Sequence, residues 1–170
     1  TATTSGNTTN YTYTYNQIGN YVPKLVMTSG ANCIIALIGT DTIKVTKTTA
    51  KFGASQLTFC KSGTVQFTDS SVASSGPIAN YLWNFGDGTS STLQNPTHLF
   101  NKPGKYYITL TVTNNEGCTS LPLTKQLIVY GSPKAAFIMP KKVCETDTIK
   151  FTNKTQLGYG SLTFASEWNF

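Results

Sequence analysis

An all-β fold built as a β-sandwich is the fold class that this sequence predicts, and three observations lead to it. Thr, Val, Ile, Tyr and Phe are frequent, while Gly, Asn and Pro interrupt the chain at short intervals. Aromatic residues make up 12% of the 170 residues, which excludes a disordered chain. The sequence also matches itself at a spacing of 85 residues.

The strands are predicted from alternating apolar and polar side chains, the period-two pattern of a half-buried β-strand, at residues 64–68, 81–85, 106–112 and 124–130. The third is the clearest, because every second residue from Tyr106 to Val112 is apolar. In the segment before it, the corresponding inward side chains are Tyr21, Pro23, Leu25 and Met27. One polar face is typical of antiparallel strands, so we expect an antiparallel sandwich.

The internal repeat predicts the domain organisation. Gly19 matches Gly104, Tyr21 matches Tyr106, and the stretch 83–85 matches 168–170. The predicted units are the back half of one repeat at residues 1–47, a complete repeat at 48–131 and the front half of another at 132–170. We therefore expect the 170 residues to be a window on a longer tandem array with short, stiff joints.

A set of short motifs lies in the second half of the complete repeat. It contains a Trp-x-Phe-Gly-Asp-Gly core, an Asn-Pro-x-His turn and a Gly-x-Tyr strand entry, formed by Trp83, Phe85, Gly86, Asp87, Gly88, Asn95, Pro96, His98, Gly104 and Tyr106. Glycines at such a corner supply positive φ angles, and the aspartate is expected to accept hydrogen bonds from the backbone just after it. This combination resembles the PKD (polycystic kidney disease) domain.

The resemblance implies an immunoglobulin-like β-sandwich that works outside the cell. PKD modules serve as spacers in surface proteins and in secreted proteases and chitinases. Tandem repeats with this cysteine placement resemble those of giant adhesins of gliding Bacteroidota, which are exported by the type IX route. The resemblance therefore implies a structural stalk segment of an extracellular adhesin or filament that is not an enzyme and contacts its neighbouring repeats.

Four cysteines allow three pairings. Cys60 and Cys118 each occur at one place in the repeat, so we predict that they form a disulfide within a single sandwich. Cys33 and Cys144 would then pair with cysteines outside this sequence. The alternatives are the pairs Cys33–Cys60 and Cys118–Cys144 across the joints, or free buried thiols. A bridge would require an oxidising compartment.

Charge and motif content argue against other functions. The net charge is +6, all 13 basic residues are Lys, and no apolar run is long enough to span a bilayer, so we expect no nucleic-acid partner and no membrane insertion. His98 has no nucleophile motif beside it and is expected to be structural. Asp87 is expected to form a turn rather than a Ca²⁺ site, which needs six to eight oxygens. No cofactor is expected.

Two alternatives to a passive stalk remain open. The chain could be an accessory module on a secreted hydrolase, acting as a spacer or presenting Tyr and Thr surfaces to polysaccharide. Alternatively, copies could join head to tail, because residues 132–170 and 1–47 together supply the strands of one repeat.

Overall fold

The computed structural model describes residues 12–28, 34–145, 147–160 and 167–169. These residues form β-strands and turns, which confirms the all-β prediction. The strands are β1 (Gly19–Tyr21), β2 (Lys24–Thr28), β3 (Ile34–Ile38), β4 (Ile43–Val45), β5 (Thr48–Thr49), β6 (Phe52–Ala54), β7 (Thr58–Cys60), β8 (Gly63–Asp69), β9 (Val72–Ala73), β10 (Ile78–Asn84), β11 (Ser90–Ser91), β12 (Thr97–Phe100), β13 (Gly104–Asn114), β14 (Leu123–Tyr130), β15 (Phe137–Ile138) and β16 (Thr152–Asn153). No helix in this described part is long and apolar enough to cross a membrane.

Two sheets form a sandwich between residues 48 and 131. One sheet has the strand order β11-β10-β13-β14-β7, and the other has the order β12-β8-β6. Their strand pairs are antiparallel except that β7 runs parallel to β14, with Cys60 opposite Tyr130. The sequence predicted antiparallel pairing throughout. A three-residue edge strand shows too little periodicity to reveal its direction.

The core lies between these two sheets. Strand β13 buries Ile108, Leu110 and Val112 and leaves Tyr107 exposed, as its alternating sequence predicts. The buried hydrophobic set is Ala50, Phe52, Val65, Phe67, Trp83, Phe85, Phe100, Ile108, Leu110, Val112, Leu127 and Val129. Because removing apolar surface from water is the main stabilising contribution to folding, this cluster defines the stable unit of the chain.

The segment before the sandwich forms two antiparallel pairs, β1 with β4 and β2 with β3. The β1–β4 pair corresponds to the β13–β14 pair of the sandwich. The register relates β1 to β13 at a spacing of 85 residues and β4 to β14 at a spacing of 84. We expected Pro23, Leu25 and Met27 to point inward, but all three are exposed, Leu25 by 51% and Met27 by 47%. Their expected burial is wrong for the described residues, because β2 and β3 form a two-stranded sheet on which no second sheet packs there.

The segment after the sandwich repeats an aromatic triangle of the core. The central triangle consists of Phe52, Phe67 and Trp83, and the following one consists of Phe137, Phe151 and Trp168. The ring centroids are 6.2, 5.0 and 5.5 Å apart in the first triangle and 6.3, 5.3 and 5.5 Å apart in the second. Strands β15 and β16 pair antiparallel beneath the second triangle, as β6 and β8 do beneath the first.

The predicted Cys60–Cys118 bridge does not fit this fold. Cys60, Cys118 and Cys144 are free thiols, and Cys33 lies outside the described residues. Cys60 lies beside Tyr130 at one end of the five-stranded sheet, whereas Cys118 follows Asn114 at the other end of β13. The length of β13 separates the two thiols by about 30 Å. A disulfide needs Cα atoms within about 7 Å of each other, so the bridge within one sandwich is excluded.

Candidate functional site

The set of motifs builds a corner where the chain leaves β10 and returns through β12 to β13. We call Phe85, Gly86, Asp87, Gly88 and His98 the corner cluster. Gly86 has a φ of 77° and Gly88 a φ of 92°, values that favour glycine. A Cβ atom on Gly86 would lie 2.8 Å from the backbone nitrogen of Tyr107, so only glycine fits between the corner and β13.

Asp87 closes the corner. Its Oδ1 accepts hydrogen bonds from the backbone nitrogen of Thr89 at 3.0 Å and from Thr89 Oγ1 at 2.6 Å. Its Oδ2 lies 2.7 Å from His98 Nε2. Both carboxylate oxygens therefore have partners inside the protein, which gives Asp87 the turn-forming role that its position in the sequence indicated.

His98 is held on two sides. Its ring stacks on Phe85 with centroids 4.1 Å apart and an interplanar angle of 1°. The His98 and Asp87 side chains are only 17% and 25% exposed. Partial burial alone would raise the pKa of Asp87, but hydrogen bonds from Thr89 and His98 outweigh it and hold that pKa below its usual value. The ionised form of Asp87 is thus part of the folded corner.

The corner cluster does not form the arrangement of a hydrolase triad. In a triad, one imidazole nitrogen faces the carboxylate and the other faces the nucleophile. Here the same nitrogen, Nε2 of His98, faces both Asp87 at 2.7 Å and the Thr89 hydroxyl at 3.4 Å. Thr89 itself is tied to Asp87. The geometry therefore supports a role in holding the corner together.

The carboxylates of the complete repeat do not converge on a cation site. No group of three His, Cys, Asp or Glu side chains that could hold a metal occurs among the described residues. Asp69 accepts hydrogen bonds from the Ser71 backbone and the Gln94 side chain. Glu116 lies in the turn after β13.

The other motif residues join neighbouring strands. Trp83 is fully buried and donates from Nε1 to the Leu93 carbonyl oxygen at 2.9 Å, so it cannot serve as a sugar-stacking platform. The Asn95 Oδ1 accepts from the Asp69 backbone at 2.8 Å. The carbonyl oxygen of the buried Pro96 accepts from the Phe67 backbone at 2.9 Å. These bonds attach the loop before β12 to β8 and β10.

Gly104 and Tyr106 begin β13. The Tyr106 hydroxyl donates to the Lys102 carbonyl oxygen at 2.8 Å, an arrangement that matches the tyrosine corner of immunoglobulin-type sandwiches. The same bond occurs in the preceding segment, where the Tyr21 hydroxyl donates to the Gln17 carbonyl oxygen at 3.1 Å.

The joint before the sandwich depends on residues that the sequence analysis did not single out. Asn114 is 2% exposed, and its Oδ1 accepts from the backbone nitrogens of Glu116 and Cys118 while its Nδ2 donates to the Ser75 carbonyl oxygen. Lys44, from the preceding segment, pairs with Glu116 at 3.2 Å. The alternation of β13 contained a signal for Asn114, since it occupies an inward position two residues after Val112.

The joint after the sandwich is a close backbone contact. The Gly131 nitrogen donates to the Tyr159 carbonyl oxygen at 3.0 Å. A Cβ atom on Gly131 would lie 2.6 Å from the Tyr159 nitrogen, and one on Gly158 would overlap the Gly131 carbonyl group. At the earlier joint, the Ser74 nitrogen donates to the Lys47 carbonyl oxygen at 2.8 Å. Both joints therefore link the end of one segment to a loop of the next.

This fold and this corner define a structural β-sandwich module. Residues 46–129 match the family model described as "PKD domain". The PKD1 domain of the Vibrio cholerae metalloprotease PrtV is 34% identical, with a TM-score of 0.44, over 49% of this chain and 96% of that domain. The chain therefore belongs to the PKD domain family through its central sandwich.

Relatives with longer chains include a collagenase and a metalloprotease. Collagenase ColA of Bacillus cereus is 36% identical over 86 residues, which cover 50% of this chain and 9% of the relative. The pre-pro-metalloprotease PrtV of Vibrio cholerae is 45% identical over 53 residues, which cover 31% of this chain and 6% of the relative. The chain thus spans less than a tenth of the length of these relatives.

Proposed function

We propose that this chain is a spacer built from consecutive PKD repeats in a larger exported protein. The observation that carries the proposal is the recurrence of the same tertiary contacts at a spacing of 84 or 85 residues. Tyr21 and Tyr106 make equivalent backbone hydrogen bonds, and the aromatic triangle on Trp83 has its counterpart on Trp168. Recurring contacts of this kind favour copies of one folding unit along the chain.

A spacer needs joints that limit bending, and the contacts at both ends of the sandwich support this role. The Lys44–Glu116 ion pair and the Ser74–Lys47 hydrogen bond span the first joint. The Gly131–Tyr159 hydrogen bond spans the second. An exposed ion pair contributes little by itself, so the backbone bonds and the close approach of Gly158 carry most of the restriction.

The relatives favour a hydrolase over an adhesin as the protein that this spacer serves. Two of them are named as a collagenase and a metalloprotease, and collagen is an extracellular substrate. That context also supports export. A surface adhesin stalk remains the competing proposal. The flanking coding sequence distinguishes the two proposals. It contains a peptidase domain if the spacer serves a hydrolase, and a long run of further repeats if it belongs to an adhesin stalk.

The spacer proposal is tested by small-angle X-ray scattering of the 170-residue chain. A variant with Gly-Ser-Gly-Ser inserted after Gly131 serves as the flexible control, because such linkers behave as random coils. We expect the parent chain to scatter as an elongated particle with restricted joints and the control to show the profile of a flexible chain. Identical profiles for the two chains would contradict a stiff spacer.

A binding module is distinguished by a second measurement. Tyr107 is the exposed aromatic residue on the outer face of β13, and it is the side chain that would stack on a sugar ring. A spacer shows no saturable binding to a panel of polysaccharides or to collagen. Saturable binding that the Tyr107→Ala variant loses, with its folding intact, would replace the spacer proposal by a binding function.

A further inference from the structure

The two cysteines of the sandwich lie at its opposite ends. We call the end where the chain enters, at Thr46 and the turn holding Cys118, the entry pole. We call the end where it leaves, at Cys60, Tyr130 and Gly131, the exit pole. About 30 Å of β13 separates the poles, so each cysteine lies near one joint and far from the other cysteine.

At the entry pole, Cys118 lies against the residue through which the chain arrives. Its Sγ is 2.8 Å from Thr46 Oγ1, and Thr46 directly follows β4, the last strand of the preceding segment. The Cys118 backbone nitrogen donates to Asn114 Oδ1 at 2.8 Å, so the buried Asn114 fixes the position of this thiol.

At the exit pole, Cys60 lies beside the residue through which the chain departs. Cys60 is the register partner of Tyr130, and the next residue, Lys61, donates its backbone nitrogen to the Tyr130 carbonyl oxygen at 2.8 Å. Cys60 is exposed, and neighbouring strands are about 4.8 Å apart. Gly131, which directly follows β14, has no side chain to occupy the space beside Tyr130.

The repeat relates these two poles. Val45 pairs with Gly19 as Val129 pairs with Gly104, so the next residue, Thr46, corresponds to Tyr130. The cysteine equivalent to Cys118 in a following repeat would therefore lie against Tyr130. Cys60 is the strand-register partner of the same residue, Tyr130. Both thiols then meet at one joint.

We propose that a disulfide links Cys60 of one repeat to the Cys118-equivalent cysteine of the next repeat, and so clamps each joint of the array. This inference rests on the proposed tandem organisation. The two thiols each lose a hydrogen to a low-molecular-weight disulfide such as oxidised glutathione, which leaves as two thiols. The bond connects neighbouring repeats covalently at a second point, and bending at the joint is restricted in consequence.

The test uses the 170-residue chain extended after Phe170 by a second copy of residues 86–131. This extension completes the repeat that starts at residue 132 and adds a second copy of Cys118. Cys33→Ser, Cys118→Ser and Cys144→Ser changes in the resident sequence leave only Cys60 and the added cysteine. The matched control keeps resident Cys118 and carries serine in the added copy.

After incubation with oxidised glutathione, we expect both cysteines of the test chain to be protected from alkylation. A digest without reductant should then contain a peptide in which Cys60 is joined to the added cysteine. The control should keep both thiols alkylatable, because its cysteines lie at opposite poles. Free thiols in a folded test chain would overturn the clamp and leave the spacer intact. An intramolecular Cys60–Cys118 bridge in the control would also overturn it.

Hydrogen exchange separates failure of the clamp from failure of the array. If the extension completes a repeat, the amide hydrogens around Trp168 become protected relative to the 170-residue chain. If their protection does not increase, the tandem organisation is wrong, and the proposed disulfide between repeats is rejected as well.

Discussion

Tyr21 and Tyr106 make the same hydrogen bond from equivalent positions 85 residues apart. Each hydroxyl donates to the carbonyl oxygen four residues earlier, at 3.1 Å to Gln17 and at 2.8 Å to Lys102. Each ring also packs on an aromatic neighbour, with centroids 4.6 Å from Tyr15 in one case and 4.8 Å from Phe100 in the other. The preceding segment and the sandwich therefore share this hydrogen bond and this aromatic contact at equivalent positions.

The Tyr106→Phe variant tests the contribution of this bond. Removing the hydroxyl leaves the packing on Phe100 in place and takes away one hydrogen bond, so the free energy of unfolding should fall by about 1 kcal/mol. Urea denaturation followed by circular dichroism measures the change. The Tyr107→Phe variant, at an exposed position on the same strand, is the control and should unfold like the parent. Equal stability of the two variants would contradict a role for the Tyr106 bond.

The two corner glycines should differ in their tolerance of alanine. Both have positive φ, which costs a residue with a Cβ atom about 1–2 kcal/mol. At Gly88 the added Cβ enters open space, whereas at Gly86 it meets the Tyr107 backbone. Gly88→Ala should therefore lose about 1 kcal/mol in the free energy of unfolding, and Gly86→Ala about 3 kcal/mol or more. Denaturant midpoints check the order, and equal losses would argue against the close approach of the corner to β13.

Asp87 should make the sandwich sensitive to acid. Its folded pKa lies below its usual value of 3.8, so its stabilising contribution is fully present above that value and is lost as the pH falls through the folded pKa. The free energy of unfolding should then decrease more steeply between about pH 5 and pH 2 in the parent than in Asp87→Asn. Thr89→Val, which removes one bond to the carboxylate, should show an intermediate slope. Superimposable pH profiles would exclude the corner as the source of the acid sensitivity.

The joint after the sandwich should loosen when Gly158 receives a side chain. Gly158→Ala places a Cβ atom where the Gly131 carbonyl group lies, so the two backbones must separate. Hydrogen exchange at the Gly131 amide, which bonds to the Tyr159 carbonyl oxygen, should accelerate by tenfold or more, on the order of 1.4 kcal/mol. The exchange of the buried strand β13 serves as the internal control and should stay unchanged. Unaltered exchange at Gly131 would show that the joint does not depend on this contact.

The sequence predicted much of the sandwich because burial imposes a simple period. Strand β13 shows its inward face directly, with Ile108, Leu110 and Val112 buried as the alternation requires. The corner cluster was also predictable, since glycine and aspartate at adjacent positions carry turn chemistry that acts over two or three residues. The stack of His98 on Phe85 was not, because it depends on how β12 passes the end of β10.

The cysteines show where prediction from sequence stopped. Their recurrence indicates that each has a place in the repeat, and it contains no information about the distance between them. That distance follows from the path of β7, a short edge strand paired in parallel with the exit strand β14, and from the length of β13. The β-class, the self-similarity of the sequence at 85 residues and the corner chemistry could be predicted without coordinates, because they depend on local periodicity and backbone geometry. The placement of Cys60 and Cys118 at opposite ends of the sheet depends on strand pairing between residues far apart in the chain, which local sequence patterns do not contain.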